Sequence, residues 1–165
     1  LDRWNGNSGY SYTGKASMLC SRGDKGDGDR ALAIMKQFFS KYITNNTLYN
    51  EAGPCMETPF SAMCSLEHMY LQDWGGVLRV FRGCPESWKD CSFSNMRAAG
   101  AFLVSAVRKD GETISIHINS EKGGACRIQT GMETFKVSKD YKIVDLNKGI
   151  IEILTVPGEI IKISK

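Results

Sequence analysis

Hydrophobic residues recur every three or four positions along the first part of the chain and every second position along the rest, with the change near Gly75-Gly76. The first spacing is that of amphipathic helices. The second is that of strands with one buried face. The pattern predicts an α+β chain in which N-terminal helices, residues 1–75, precede an antiparallel β-sandwich, residues 76–165.

The helical part holds three segments. "GYSYTGKASMLCS", Gly9 to Ser21, reads as a helix continuing from upstream. "RGDKGDGD" is a turn, in which Asp27 or Asp29 is expected to cap the next helix by accepting its free N–H groups. In "RALAIMKQFFSKYI", Ala31, Ile34, Met35, Phe38, Phe39 and Tyr42 form one stripe, with Lys36 and Lys41 off it. An irregular stretch, "TNNTLYNEAGPCME", leads to "ETPFSAMCSLEHMYLQDWGG". There Thr58 suits an N-cap and Pro59 a first helical turn. From Phe60 to Trp74 the apolar positions cover more than one stripe. A helix apolar on most sides is normally enclosed by other helices. Two neighbours are too few, so the missing ones are expected in a longer parent chain or in a partner.

Beyond Gly76 the chain reads as short strands, among them "VLRVF", "AFLVSAVRK", "TISIHINS", "IIEILTV" and "EIIKIS". Turn residues separate them. Asp110-Gly111 is a strong hairpin signal, and Gly123-Gly124, Asn147-Lys148-Gly149 and Pro157-Gly158 add others. Phe102, Val104 and Ala106 alternate with polar partners, as on a half-buried strand.

Composition narrows the function classes. The 165 residues are 42% hydrophobic and 24% charged, values of an ordinary globular protein. The net charge of +3 is mild and Lys and Arg are dispersed, which argues against nucleic acid as a partner. No stretch approaches the roughly 18 apolar residues of a membrane span. The chain begins at Leu1 rather than Met, so a processed or cut-down product is expected. None of the six cysteines forms a C-x-x-C pair, and His68 and His117 are the two histidines. No zinc spacing results, and no cofactor is expected. Cys84 and Cys91 flank "CPESWKDC" and would close a short loop if oxidised. The alternative is six separate thiols.

Glu57 precedes a helix start, where the dipole and free N–H groups favour a negative charge. A carboxylate there would serve as general base on water or simply stabilise the helix. Glu51 lies in the same loop, but two acids six residues apart do not make a glycosidase pair. Trp4, Tyr10, Tyr12, Tyr49, Phe60 and Trp74 are expected to gather near this loop. Such rings stack on sugar faces or fill cores. Asn5, Asn7, Asn45, Asn46 and Asn50 offer amides for hydroxyl recognition or for turns.

Several stretches in order, "NSGYS", "SRGDKGDGDRAL", "NTLYNEAGPCMETPFSAMCSLEHMYLQ", "GGVLRVFRGCPESWKD" and "MRAAGAFLVSAVRKDG", resemble the C-terminal end of glycoside hydrolase family 95, the α-L-fucosidase-like group. The similarity spans about residues 5 to 130. It implies that the helices are the last ones of an (α/α)6 barrel, followed by the sandwich. It also implies inverting hydrolysis of a glycosidic bond by two separated carboxyl groups. Glu57 falls on the base-side carboxylate, in "E-T-P-F" where many members have "D-G-N-F". The added methylene shifts the carboxylate by about 1.5 Å. Tyr49, Asn50 and Trp74 are the expected sugar contacts. The partner acid would lie upstream, so the 165 residues alone are expected to lack activity. An oligo- or polysaccharide and the parent's upstream catalytic domain are the implied partners. A dimer through exposed helix faces, and a secreted or periplasmic location, complete the expectation. The alternative is a non-catalytic carbohydrate-binding or structural module.

Overall fold

The computed structural model describes residues 6–46, 48–51 and 55–165; Trp4 and Asn5 lie outside them. The chain divides into two compact units. The helical unit runs to Met69 and takes in Gly83–Ser87. The other unit holds Tyr70–Arg82 and Trp88–Lys165.

In the helical unit, α1 (Gly9–Arg22) starts after Ser8, whose side chain accepts the Ser11 N–H, and ends at Gly23, whose N–H returns to Leu19. Thr13, Ala16, Leu19 and Cys20 form its buried stripe, spaced for one helix face. α2 (Asp27–Tyr42) buries Ala31, Met35, Phe38 and Tyr42. Phe39, expected on the same stripe, is exposed.

Asp27 and Asp29 do not act as caps. The residue before α2 is Gly26, with no side-chain cap bond. Asp27 is buried and takes a two-pronged bond from Arg22, at 2.7 Å from Nε and 2.6 Å from Nη2. Its carboxyl is held below the usual aspartate range, first by that Arg22 bond. The Asp29 carboxylate accepts the N–H groups of Glu86 and Ser87, at 2.9 and 3.3 Å. It thereby ties down the returning segment Gly83–Ser87.

α3 (Glu57–Tyr70) is shorter than the hydrophobic run suggests. It starts at Glu57, one residue before the expected Thr58 cap, and stops four residues before Trp74. Only Thr58, Ala62, Ser65 and Met69 are buried. Phe60 and Met63 stay exposed, and so does Cys64. Ser65 Oγ reaches the Thr13 carbonyl of α1 at 2.7 Å, and His68 Nδ1 lies 2.8 Å from Ser17 Oγ. His68 therefore has a structural partner.

The second unit is a β-sandwich of two five-stranded sheets. The strands are β1 (Leu71–Gln72), β2 (Leu78–Val80), β3 (Cys91–Ala98), β4 (Phe102–Lys109), β5 (Glu112–Ser120), β6 (Gly124–Gln129), β7 (Lys136–Val137), β8 (Lys142–Asp145), β9 (Ile150–Thr155) and β10 (Glu159–Ser164). One sheet has the order β1-β2-β6-β9-β8, the other β3-β4-β5-β10-β7. The chain enters the sheet directly after α3, where β1 pairs with β2, and the first compact unit gives way to the second at Met69–Tyr70. The sheets are antiparallel except for β2 against β6, which run parallel. Parallel neighbours need a crossover, and here β3, β4 and β5 of the other sheet supply it.

Asp110-Gly111 forms the two-residue turn between β4 and β5, with φ of 51° and 83°. Positive φ at both positions is the primed hairpin geometry that Asp-Gly favours. Phe102, Val104 and Ala106 on β4, Ile116 and Ile118 on β5, and Ile161 and Ile163 on β10 give one apolar face. Cys126, Ile128, Ile151 and Ile153 give the other. His117 points away from this core, opposite Ser105 and Lys162.

Candidate functional site

The loop between α2 and α3 turns back on the end of α2. Ile43 and Tyr49 form an isolated bridge, and the Asn50 N–H donates to Tyr42 O at 2.8 Å. This return sets the Tyr49 ring 6.2 Å, centre to centre, from both Phe38 and Tyr42. It also carries Glu51 to the start of α1, where one carboxylate oxygen accepts the Gly9 N–H at 2.9 Å. A helix N-terminus is a favourable place for that charge.

Gly9 is required by this close approach. A Cβ there would stand 2.7 Å from Tyr49 Oη, 3.0 Å from Thr58 Cγ2 and 3.1 Å from Glu51 Oε2. "NSGYS" and the distant loop thus meet at one point. The Tyr49 hydroxyl is buried and has no hydrogen-bond partner among the described residues. The Asn50 side chain is exposed. Lys41 lies over the Tyr42 ring at 5.0 Å and over Tyr12 at 5.5 Å.

Glu57 is the first residue of α3, and its side chain is exposed. One oxygen lies 3.2 Å from Cys55 Sγ. Its carboxyl is held below the usual glutamate range, first by its own backbone N–H and then by Cys55. The group is therefore ionised at neutral pH and open to bulk water, with its proton affinity lowered rather than raised toward the operating pH that suits a general base. Glu51 differs in kind: its oxygen is already committed to α1.

Trp74 belongs to the second unit, so it does not share a wall with Tyr49 within either compact body. It opens a 3-10 turn, Trp74–Gly76, between β1 and β2. Its indole N–H donates to Gln72 Oε1 at 3.0 Å, and the Arg79 guanidinium lies over its ring, 3.6 Å from the centroid. The sequence pattern missed Gln72 and Arg79. A charged residue inside the otherwise apolar run "VLRVF" was the available signal.

None of the six cysteines is joined in a disulfide, Cys84 and Cys91 included. Among the described residues no three His, Cys, Asp or Glu side chains converge as a metal site. No helix of the described residues is long and apolar enough to cross a membrane.

Residues 72–163, more than half of the chain, match the C-terminal domain of glycoside hydrolase family 95. The chain belongs to glycoside hydrolase family 95. Among curated proteins, none matches it. The family 95 match begins at Gln72 inside β1 and ends at Ile163 inside β10, so it covers the sandwich and includes Trp74, Gln72 and Arg79. Glu57, Tyr49 and Asn50 precede it.

Proposed function

We propose that this chain is the C-terminal part of an inverting, α-L-fucosidase-like glycan hydrolase, with Glu57 as the base that activates water. The observation that carries the reading is the family 95 match over the sandwich. Glu57 enters the reading through its place at the start of α3, ahead of the matched sandwich. Tyr49 and Asn50, in the same unit as Glu57, contact the sugar in this reading. The general acid comes from upstream in the parent chain, and the 165 residues alone do not turn over. The exposed Phe60 and Met63 on α3 are covered by further barrel helices of the parent, or by a second copy. The parent acts outside the cytoplasm, on oligo- or polysaccharide.

The test is Glu57→Gln in the parent chain, with release of monosaccharide as readout. Loss of a general base costs about 100-fold or more, and the wild-type product should form with inverted anomeric configuration. An unchanged rate removes Glu57 from the mechanism. Sugar release by the isolated 165-residue chain overturns the claim that it is incomplete.

A second reading, a carbohydrate-binding sandwich, has one specific observation in its favour. A groove of about 490 Å3 is bordered by Phe135, Tyr141, Ile143, Asn147 and Glu133. Its two rings stand 5.9 Å apart, with Tyr141 exposed. Rings beside amide and carboxylate groups suit a pyranose. Loss of glycan binding in Tyr141→Ala, with hydrolysis by the parent unchanged, would favour this reading.

A further inference from the structure

Arg79 is buried, with 8% of its surface exposed. Buried charges are ordinarily paired with an opposite charge, because desolvation of an unpaired ion is costly. Arg79 has no carboxylate partner among the described residues. Its Nη1 donates to the carbonyls of Trp74 and Val77, at 2.7 and 2.9 Å, which uses both hydrogens on that nitrogen. The N–H groups on Nε and Nη2 meet no protein acceptor among the described residues, and they are not sealed from solvent.

Arg82 adds a second positive charge nearby. Burial and that charge together work against the protonated form of Arg79. Arg82 is itself exposed and reaches Gln129 Oε1 at 3.4 Å. The free edge of Arg79, Nε and Nη2 side by side, is the fork that matches a carboxylate or sulfate in two parallel bonds. An oxyanion docked there would neutralise a charge that the protein leaves uncompensated.

Trp74 sits beside this edge, clamped by Gln72 through its indole N–H and by Arg79 across its ring, yet 48% exposed. A fixed indole open to solvent offers a stacking surface to the C–H face of a sugar ring. We propose that Arg79 and Arg82 form an anion subsite beside Trp74 that takes the carboxylate or sulfate group of an acidic sugar. The proposal rests on the glycan reading above and narrows its substrate class to acidic glycans.

The experiment uses the 165-residue chain, with the Trp74 indole N–H followed by NMR. The titrants are glucuronate, glucose 6-sulfate, glucose and inorganic sulfate, at constant ionic strength. Glucuronate or glucose 6-sulfate should shift the signal at concentrations at least tenfold lower than glucose does. Arg82→Gln, at an exposed position, should weaken acidic-sugar binding at least fivefold with an unchanged circular dichroism spectrum. Arg79→Lys, which keeps the charge but loses the fork, should weaken it too. Equal midpoints for glucuronate and glucose overturn the proposal, as does unaltered binding in Arg82→Gln. Inorganic sulfate matching both acidic sugars would reduce the site to one for free anions and overturn the sugar assignment. Failure here leaves Glu57-dependent hydrolysis untouched, whereas failure of the hydrolase reading appears in the Glu57→Gln assay and not in this titration.

Discussion

Glu51 accepts the backbone N–H of Gly9 at 2.9 Å, fastening the loop before α3 to the first turn of α1 across 42 residues. Tyr49 and Thr58 close in on the same glycine. The contact gives Glu51 an anchoring role and leaves Glu57 as the acid of this loop region that is free to meet water.

The crowding at Gly9 makes Gly9→Ala a direct test of that junction. The new Cβ would stand 2.7 Å from Tyr49 Oη, so the loop must retreat. Overpacking of this kind costs about 1–3 kcal/mol. Urea denaturation followed at the helical circular dichroism band should show the loss. Glu51→Gln keeps an acceptor and loses only the charge at the helix start, so its cost should be about 0.3–1 kcal/mol. Equal midpoints for Gly9→Ala and the wild type would mean that the loop does not close on α1.

Local chemistry was legible where it depends on near neighbours. Asp110-Gly111 announces its turn because both residues tolerate positive φ. The alternation of Phe102, Val104 and Ala106 announces a strand with one buried face. Long-range partners were not legible. The hydrophobic run through Trp74 gives no hint that Leu71 and Gln72 leave the helix to pair with Val80 and Arg79. The parallel β2–β6 pair joins segments about 50 residues apart, and no local pattern carries its direction. Asp27 looked like a cap because capping needs only a short acceptor side chain. What decided its role was Arg22, which reaches it only once both helices are formed. At the candidate site, Glu57 was visible from its position before a helix. The clamp of Gln72 and Arg79 on Trp74 needed the fold.

The Arg22–Asp27 pair predicts a pH dependence of stability. The carboxyl of Asp27 sits below its ordinary value of 3.8 in the folded chain. A depressed folded-state value means that the pair contributes fully above the unfolded value. The contribution is lost as pH falls below it, through the folded value. Asp27→Asn should cost about 1.5–3 kcal/mol at neutral pH, because it strips the charge from a part-buried, two-pronged bond. Its stability should also fall less steeply than the wild type's on acidification. Parallel stability–pH curves for the two proteins would show that Asp27 is not the titrating group.

The sandwich contains a buried hydroxyl relay that joins its two sheets. Thr155 Oγ1 donates to Gly124 O at 2.8 Å, so Ser120 Oγ, 2.7 Å away, must be the donor to Thr155. Ser120 Oγ in turn accepts the Gly123 N–H at 3.1 Å. Every hydrogen in the relay has an acceptor. Thr155→Val keeps the shape but leaves the Ser120 hydroxyl without an acceptor and Gly124 O without that donor. A buried group left unsatisfied costs about 1–3 kcal/mol. Thr155→Ser keeps the hydroxyl and should lose less. Thermal unfolding of the two variants separates hydrogen bonding from packing: a larger loss in Thr155→Ser would mean that the methyl group dominates.

The six thiols differ sharply in their surroundings, and alkylation should rank them. The thiolate is the reactive form. Burial pushes Cys20 up to about 12, with the Asp27 charge adding to it, and burial alone pushes Cys126 up to about 12. Cys64 lies exposed on α3. Brief treatment with iodoacetamide at pH 8, followed by peptide mass spectrometry, should modify Cys64 while Cys20 and Cys126 remain intact. Rising urea should then expose the two buried thiols. Because Cys20 belongs to the helical unit and Cys126 to the sandwich, their labelling midpoints report separately on the two bodies. Removing the Gly9–Glu51 junction should lower the Cys20 midpoint and leave that of Cys126 in place. Labelling of Cys126 in the native chain as fast as Cys64 would mean that the β6 face of the sandwich core is open to solvent.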